Sequence, residues 1–261
     1  MRNLKTAETA NYIKAWLDAY CGEAGLSGFI VGISGGVDSA LTSTLCAMTG
    51  QKTILLSMPI RQSFGEHDRA KNHIASLEKR FSNVSSLEID LTNVFDQFEK
   101  DLPEEVNTNW LVMANSRARL RMTTLYAFGQ AHNCLVAGTG NRVEDFGVGF
   151  FTKYGDGGVD LSPIADLTKS EVWLLAKEVG VIAEIVEAKP TDGLWADGRS
   201  DEDQIGATYP ELEWAMDFEG DEAALTDRQK EVLAIYRRLN RINQHKMLPI
   251  PVCTIPSKLR E

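Results

Sequence analysis

The feature that most restricts this chain is Ser34-Gly35-Gly36-Val37-Asp38-Ser39, set between a short apolar run and an amphipathic stretch. The run Phe29-Ile30-Val31-Gly32-Ile33 suits a strand buried on both faces. After it, Val37, Ala40, Leu41, Thr44, Leu45 and Met48 recur at the spacing of one helical face. A chain that leaves a buried strand through two adjacent glycines and enters a helix gathers its backbone N–H groups around one point. The helix adds the positive end of its dipole, so the turn is built for an anion. The hydroxyls of Ser34 and Ser39 can donate further hydrogen bonds. Asp38 repels phosphate unless a cation lies between, which implicates Mg2+, an ion held by carboxylate and phosphate oxygens. The pattern is neither G-x-x-x-x-G-K-[ST] nor G-x-G-x-x-G, so a Walker-type γ-phosphate transfer and a Rossmann-type turn are disfavoured.

The alternation continues along the chain. Strands are expected at Thr53 to Met58, Leu87 to Leu91 and Cys134 to Ala137, with helices over Glu66 to Arg80 and Asn107 to His132 between them. A helix carrying Ile13, Trp16, Leu17 and Tyr20 on one side opens the chain. Strands separated by helices imply α/β architecture, a doubly wound parallel sheet with helices on both faces. No repeat or long linker interrupts it, and residues 1–261 read as a single domain. Later segments are helical and announce their starts. Thr168-Lys169-Ser170-Glu171 and Thr226-Asp227-Arg228-Gln229 have the form of capping boxes. The Gly- and Asp-rich stretch from Pro190 to Asp203 reads as a loop able to act as a lid, or as a plain surface connection.

Composition narrows the function. A net charge of −10 weighs against a chain that tracks a nucleic-acid backbone. No run approaches the roughly 20 apolar residues of a membrane span, and the first residues lack the apolar centre of a secretion signal. Cys21, Cys46, Cys134 and Cys253 lie far apart without a CxxC pair, against a zinc site or disulfide framework, so a reducing cytoplasm is the expected compartment. Cys46 falls within the helical periodicity and Cys134 at the head of an apolar run, the pattern of packed thiols rather than of nucleophiles.

The hexapeptide matches the SGGxDS loop of the ATP-pyrophosphatase superfamily, which includes synthetases of GMP, asparagine and argininosuccinate. The stretch from Gly149 to Asp160, Gly-Phe-Phe-Thr-Lys-Tyr-Gly-Asp-Gly-Gly-Val-Asp, closely resembles one found in NAD synthetases. Ala118-Arg119-Leu120-Arg121-Met122, Gly138-Thr139, Leu167-Thr168-Lys169, Lys189-Pro190-Thr191 and His245-Lys246 resemble further pieces of that family, in the family's order. The resemblance implies an adenine-nucleotide alpha-hydrolase-like fold and an ammonia-dependent amidation of deamido-NAD. It implies ATP contacts at Gly32, Ile33, Ser34, Gly35, Gly36, Val37, Asp38, Ser39, Thr139, Lys169 and Thr191. Deamido-NAD would meet Arg119, Lys153, Asp160, His245 and Lys246. Asp38 and Glu144 would share the magnesium, although Asp145 beside Glu144 could serve as well. Family members resembling this chain are homodimers. Two places depart from the pattern: Gly138-Thr139-Gly140-Asn141 stands where ammonia-dependent members often read GTDH, and the interval from Glu144 to Lys153 is one residue longer.

The residues themselves bear on these roles. Lys169 follows a helix cap, where an ammonium and free N–H groups suit charge building on the α-phosphate. Arg119 lies about 200° around its helix from Arg117 and Arg121, which share a face, so either it points into a site while they meet solvent or acidic partners, or it is itself the solvated one. The alternatives are another ATP-pyrophosphatase, such as the synthetase portion of a GMP-forming enzyme, a nucleotide sensor without turnover, and a subunit fed by a separate glutaminase.

Overall fold

The computed structural model describes residues 4–61, 64–188 and 200–260. Helix α1 (Thr6–Glu23) leads into β1 (Gly28–Gly32), α2 (Val37–Met48), β2 (Lys52–Ser57), α3 (Phe64–Arg80) and β3 (Val84–Glu88). A second series follows as α4 (Thr92–Asp101), the short α5 (Glu104–Asn107), α6 (Trp110–His132) and β4 (Leu135–Val136). Beyond a π-helical turn at Val143–Val148 come α7 (Lys169–Glu178), α8 (Ala183–Val186), α9 (Asp201–Ile205), α10 (Tyr209–Met216) and α11 (Asp227–Met247).

The described strands form one parallel sheet in the order β3-β2-β1-β4. Phe29 stands opposite both Thr53 and Leu135, which fixes the central register. Side chains of β1 alternate between two cores, as the pleat requires. Phe29 and Val31 pack with Leu17, Leu41, Leu45 and Val172 on the face covered by α1, α2 and α7. Ile30 joins Ile54, Leu56 and Val136 against Phe95, Met122 and Leu125 of α4 and α6. A strand with both faces covered is a continuous apolar run, which is why residues 29–33 carried so clear a signal. A third core, with Val143, Val148, Tyr209, Leu212, Val232 and Leu233, joins the π-turn to α10 and α11.

The strand order reverses between β1 and β4, since β1 to β3 proceed one way and β4 lies on the other side. In open α/β sheets the crevice outside the strand ends at such a switch point is where ligands bind. The segments that leave β1 and β4 there are the Ser34–Ser39 loop and Gly138 to Asn141.

Element boundaries differ from the sequence reading by one to three residues, most at the third strand and the long helix. The third strand starts earlier, at Val84, because it is a half-exposed edge rich in serine where periodicity is weak. Its path nevertheless continues to Leu91, whose N–H donates to the Pro59 carbonyl at 3.0 Å. The long helix begins at Trp110 rather than near Asn107, because the Asn109 side chain accepts from the Val112 N–H at 3.2 Å and caps it.

Helix α3 braces the phosphate-loop helix through a buried polar contact. His73 Nε2 lies 2.9 Å from Ser43 Oγ, and that hydroxyl donates to the Ser39 carbonyl at 2.7 Å. The Ser43 hydroxyl therefore accepts from His73, which fixes the tautomer with hydrogen on Nε2. Burial, with Arg80 nearby, pushes the imidazole down from 6.5 to about 4, so it is neutral in the folded protein. The unfolded chain takes up a proton below about pH 6.5 and the folded one does not, so stability is complete above that pH and declines as pH falls toward 4. Between pH 7 and pH 5 the protein should lose about 2 kcal/mol that a His73→Gln variant retains, read from urea unfolding at each pH. Parallel pH profiles for the two proteins would refute this role.

Candidate functional site

The crevice at the switch point is a cavity of ≈ 1030 Å3, large enough for two substrates side by side. Gly32 to Ser39 line one end, together with Thr139, Glu144, Asp145 and Lys169. Arg119, Lys153, His245 and Lys246 line the other. Asp160 does not reach it. Its carboxylate accepts from the Tyr126 hydroxyl at 2.9 Å and the Val136 N–H at 2.8 Å, which ties it to the end of the sheet. Thr191 lies outside the described residues.

The phosphate loop is folded on its own serines. Ser34 Oγ and Ser39 Oγ are 3.1 Å apart, the Gly36 N–H donates to Ser34 Oγ at 3.2 Å, and Ser39 Oγ donates to the Gly36 carbonyl at 3.0 Å. Gly35 has φ +89°, a left-handed conformation that an L side chain resists. The turn therefore needs glycine for its shape as well as for access. Arg69 of α3 reaches over it, its Nε 3.4 Å from the Gly35 carbonyl.

At the centre of the crevice three distant parts of the chain meet on one ammonium. Lys169 Nζ donates to Asp38 Oδ2 at 2.6 Å and to Glu144 Oε1 at 2.9 Å. The lysine is 3% exposed and the carboxylates 17% and 16%. Burial works against the lysine's charge, but Asp38 and Glu144 outweigh it and raise its pKa, so it stays charged. One ammonium cannot neutralise two carboxylates, and the surplus negative charge is unevenly carried. Burial and the charge of Glu144 raise the Asp38 carboxyl against the pull of Lys169. Burial also pushes Glu144 upward, but Lys169 and a hydrogen bond from Tyr209 pull harder and its pKa falls. Asp145 next to it is driven to about 8 by burial and by Glu144, Asp156 and Asp38.

The chemistry of this donor set fits a hard divalent cation. Two carboxylates converge on a point now occupied by a lysine ammonium, beside an anion cradle that would bring phosphate oxygens within reach. Among the described residues no group of three or more His, Cys, Asp or Glu side chains could hold a metal by itself. The phosphates and water would therefore complete the shell. Glu144, not Asp145, shares the ammonium with Asp38. Asp145 instead packs over Gly140, where an added Cβ would stand 2.0 Å from its carboxylate oxygen.

The Gly140-Asn141 pair acquires a physical meaning here. Asn141 is fully buried and bridges the two halves of the site. Its amide donates to Asp38 Oδ1 at 3.0 Å, and its carbonyl accepts from the N–H groups of Val143 and Glu144, each at 3.1 Å. The interval between Glu144 and Lys153 opens within a π-helical turn, Val143–Val148. That turn keeps both Glu144 and Asp145 on the cavity wall.

The arginines of α6 divide between two faces, as the helical spacing requires. Arg121 Nε donates to the Met58 carbonyl at 2.9 Å, and the Arg117 guanidinium lies 5.9 Å from the Phe95 ring centre. Arg119 is the exposed member, yet its Nε donates to the Lys153 carbonyl at 3.2 Å. Lys153 Nζ in turn donates to the His245 carbonyl at 2.5 Å, while the His245 ring is bonded to its own helix. Lys246 Nζ donates to the carbonyls of Gly149 and Phe151. The end of α11 thus clamps the Gly149–Asp160 stretch across the mouth of the crevice. Sequence reasoning passed over Tyr209, whose hydroxyl donates to Glu144 Oε1 at 2.5 Å, and over Asn141 as a site residue.

The family model described as NAD synthase matches residues 9–248. An NH(3)-dependent NAD(+) synthetase of Carboxydothermus hydrogenoformans is 38% identical over 232 residues, covering 88% of this chain and 90% of that protein. An NMN synthetase structure from Francisella tularensis superposes with TM-score 0.84 at 29% identity, covering 98% of this chain and 100% of that one. An NH3-dependent NAD synthetase from Campylobacter jejuni, solved with nitrate, has the same fold, with TM-score 0.78 at 23% identity over 96% of this chain and all of that one. With a family match over most of its length, a relative of that identity and a crevice assembled at the same motifs, the chain belongs to the NAD synthase family.

Proposed function

We propose that this protein is an NH3-dependent NAD synthetase of one domain that converts deamido-NAD to NAD with ATP and ammonia. The observation that carries the reading is the Asp38–Lys169–Glu144 cluster set against the Ser34–Ser39 cradle. Oxide is too poor a leaving group for a carboxylate to exchange directly with ammonia, so the carboxylate must first be activated. The nicotinate carboxylate attacks the α-phosphorus of ATP, and pyrophosphate leaves into the N–H groups of the loop. Ammonia then attacks the acyl adenylate and AMP departs. Lys169, at the first turn of α7, neutralises charge building on the α-phosphate, and Thr139 holds the nucleotide from the end of β4. Asp38 and Glu144 would hold Mg2+, which when bound offsets the phosphate charge. Arg119, Lys153, His245 and Lys246 frame the acceptor, and Asp160 supports its wall from outside the crevice. Thr191 completes the ATP contacts. The working unit is a homodimer in the cytoplasm, without nucleic-acid or membrane partners, and no described helix is long and apolar enough to span a membrane.

Free ammonia suits the three buried thiols. Cys21, Cys46 and Cys134 are buried, and burial raises the pKa of each, the reverse of what an amide-cleaving nucleophile needs. A second reading of the acceptor rests on the TM-score of 0.84 to the Francisella NMN synthetase, against 0.78 to the Campylobacter NAD synthetase. In that reading the acceptor is the deamido mononucleotide, activated by the same chemistry.

The purified protein with ATP, Mg2+ and ammonium should convert deamido-NAD to NAD with release of AMP and pyrophosphate, and glutamine should not replace ammonium. Amidation of the deamido mononucleotide in preference to the dinucleotide would favour the second reading, and turnover of neither would refute both. Asp38→Asn should retain the fold and lose roughly 10²–10³-fold in kcat, the usual cost of one focused electrostatic contact. Near-normal turnover of a folded variant would remove Asp38 from the chemistry. Lys169→Met leaves two half-buried carboxylates without their cation. Without nucleotide it should bind Mn2+ roughly tenfold more tightly than the wild type by calorimetry, because a competing positive charge is gone. Weaker binding would show that the lysine assembles the carboxylates instead of competing with the ion.

A further inference from the structure

Tyr209 carries none of the roles assigned so far, yet it is among the largest fully buried side chains and its hydroxyl bonds Glu144 from behind the cavity wall. It is the first residue of α10, held by the Thr208 capping box. Its N–H donates to Glu202 at 2.8 Å, and its ring meets Trp173 of α7 edge to face, with centroids 6.1 Å apart. Backbone and ring are therefore both fixed. From that position the hydroxyl donates to Glu144 Oε1 at 2.5 Å, with an oxygen of buried Asp201 at 3.4 Å. The Lys169 ammonium stands 4.8 Å from the ring centre. One rigid side chain thus touches two of the three charged members of the cluster by different means, a hydrogen bond to the carboxylate and a π-face to the cation.

A packing role alone explains the ring but not the hydroxyl. Phenylalanine would fill the same volume without placing a polar group in a core. The hydroxyl has a single proton, and the short distance gives it to Glu144. Burial and the charges of Glu144 and Asp201 hold the phenol far above its ordinary pKa, so it remains a donor at any working pH.

We propose that Tyr209 is a positioning residue of the amidation, its hydroxyl fixing the Glu144 carboxylate for a divalent cation while its ring steadies Lys169 beside it. The inference rests on Glu144 as a cation ligand. When Lys169 turns from Glu144 toward the α-phosphate, Tyr209 remains as the donor that keeps the carboxylate from rotating. Partners of this kind orient carboxylate ligands, and their removal typically costs about 10–100-fold in metal affinity or activity.

The test is Tyr209→Phe, which deletes one oxygen. Mn2+ is titrated by calorimetry into protein saturated with the α,β-methylene analogue of ATP. The dissociation constant should rise about tenfold. Turnover lost at low Mg2+ should return at saturating Mg2+, with the KM for deamido-NAD unchanged. In a Glu144→Gln background the same deletion should change Mn2+ binding little, because its partner is gone. Unchanged Mn2+ affinity in Tyr209→Phe, a rate defect that persists at saturating Mg2+, or failure of the variant to fold would leave the phenol a packing role and overturn the proposal. Wild-type Mn2+ affinity in Glu144→Gln alone would overturn it through its premise, while NAD formation by the wild type, measured separately, would still stand.

Discussion

One ammonium between two carboxylates organises this molecule's functional half. Asp38 comes from the loop after β1, Glu144 from the π-turn after β4, and Lys169 from the first turn of α7, so the contact exists only when sheet and helices have assembled. Taking three charges out of water is costly, and their attraction offsets that cost only with good geometry and satisfied hydrogen bonds. Asn141 supplies one such bond to Asp38 and Tyr209 another to Glu144. The cluster is still one positive charge short. A core built for stability alone would not keep that surplus, whereas a site awaiting a cation and a polyphosphate has a use for it.

The cluster's position follows from the sheet. Since β4 lies on the opposite side of β1 from β2, the loops leaving β1 and β4 diverge and open a crevice between them. The Thr42 hydroxyl of α2 donates to the Gly138 carbonyl at 3.3 Å, so the two walls are joined just below the opening. His73 and Arg69 brace the phosphate loop from α3 on the far side. The cradle is thus held by packed helices rather than by its own short turn. A loop of two glycines needs that support if its N–H groups are to keep one direction.

Much of this was legible in the sequence because it is local. A buried strand, a glycine turn and an amphipathic helix are consecutive, so Phe29 to Met48 declare the phosphate loop without knowledge of any distant residue. Asn141 and Tyr209 could not be found that way. Their partners lie 103 and 65 positions away, and neither a lone asparagine nor a lone tyrosine has a local pattern that reports such a contact. The arginine helix shows the same limit. Periodicity correctly separated Arg119 from Arg117 and Arg121, but which face meets the Met58 carbonyl or the Phe95 ring depends on where β2 and α4 lie.

A different local signal was present and underused. Thr168, Ser200 and Thr208 each form a complete capping box, and the residue that follows each is Lys169, Asp201 or Tyr209. All three are buried and meet around Glu144. The second half of the described chain adds no strand to the sheet, so its short helices have no strand pairing to fix where they begin. A cap does that work by fixing the backbone of the first helical residue, and with it the direction of that residue's side chain. Placing each buried polar group directly after a cap therefore gives short helices the angular precision that strand pairing provides elsewhere. At Thr168 to Glu171, Ser200 to Asp203 and Thr208 to Glu211 the motif [ST]-x-x-[DE] carries a buried residue in its second position, whereas the Thr226 to Gln229 box, which caps a long helix, is followed by exposed Asp227.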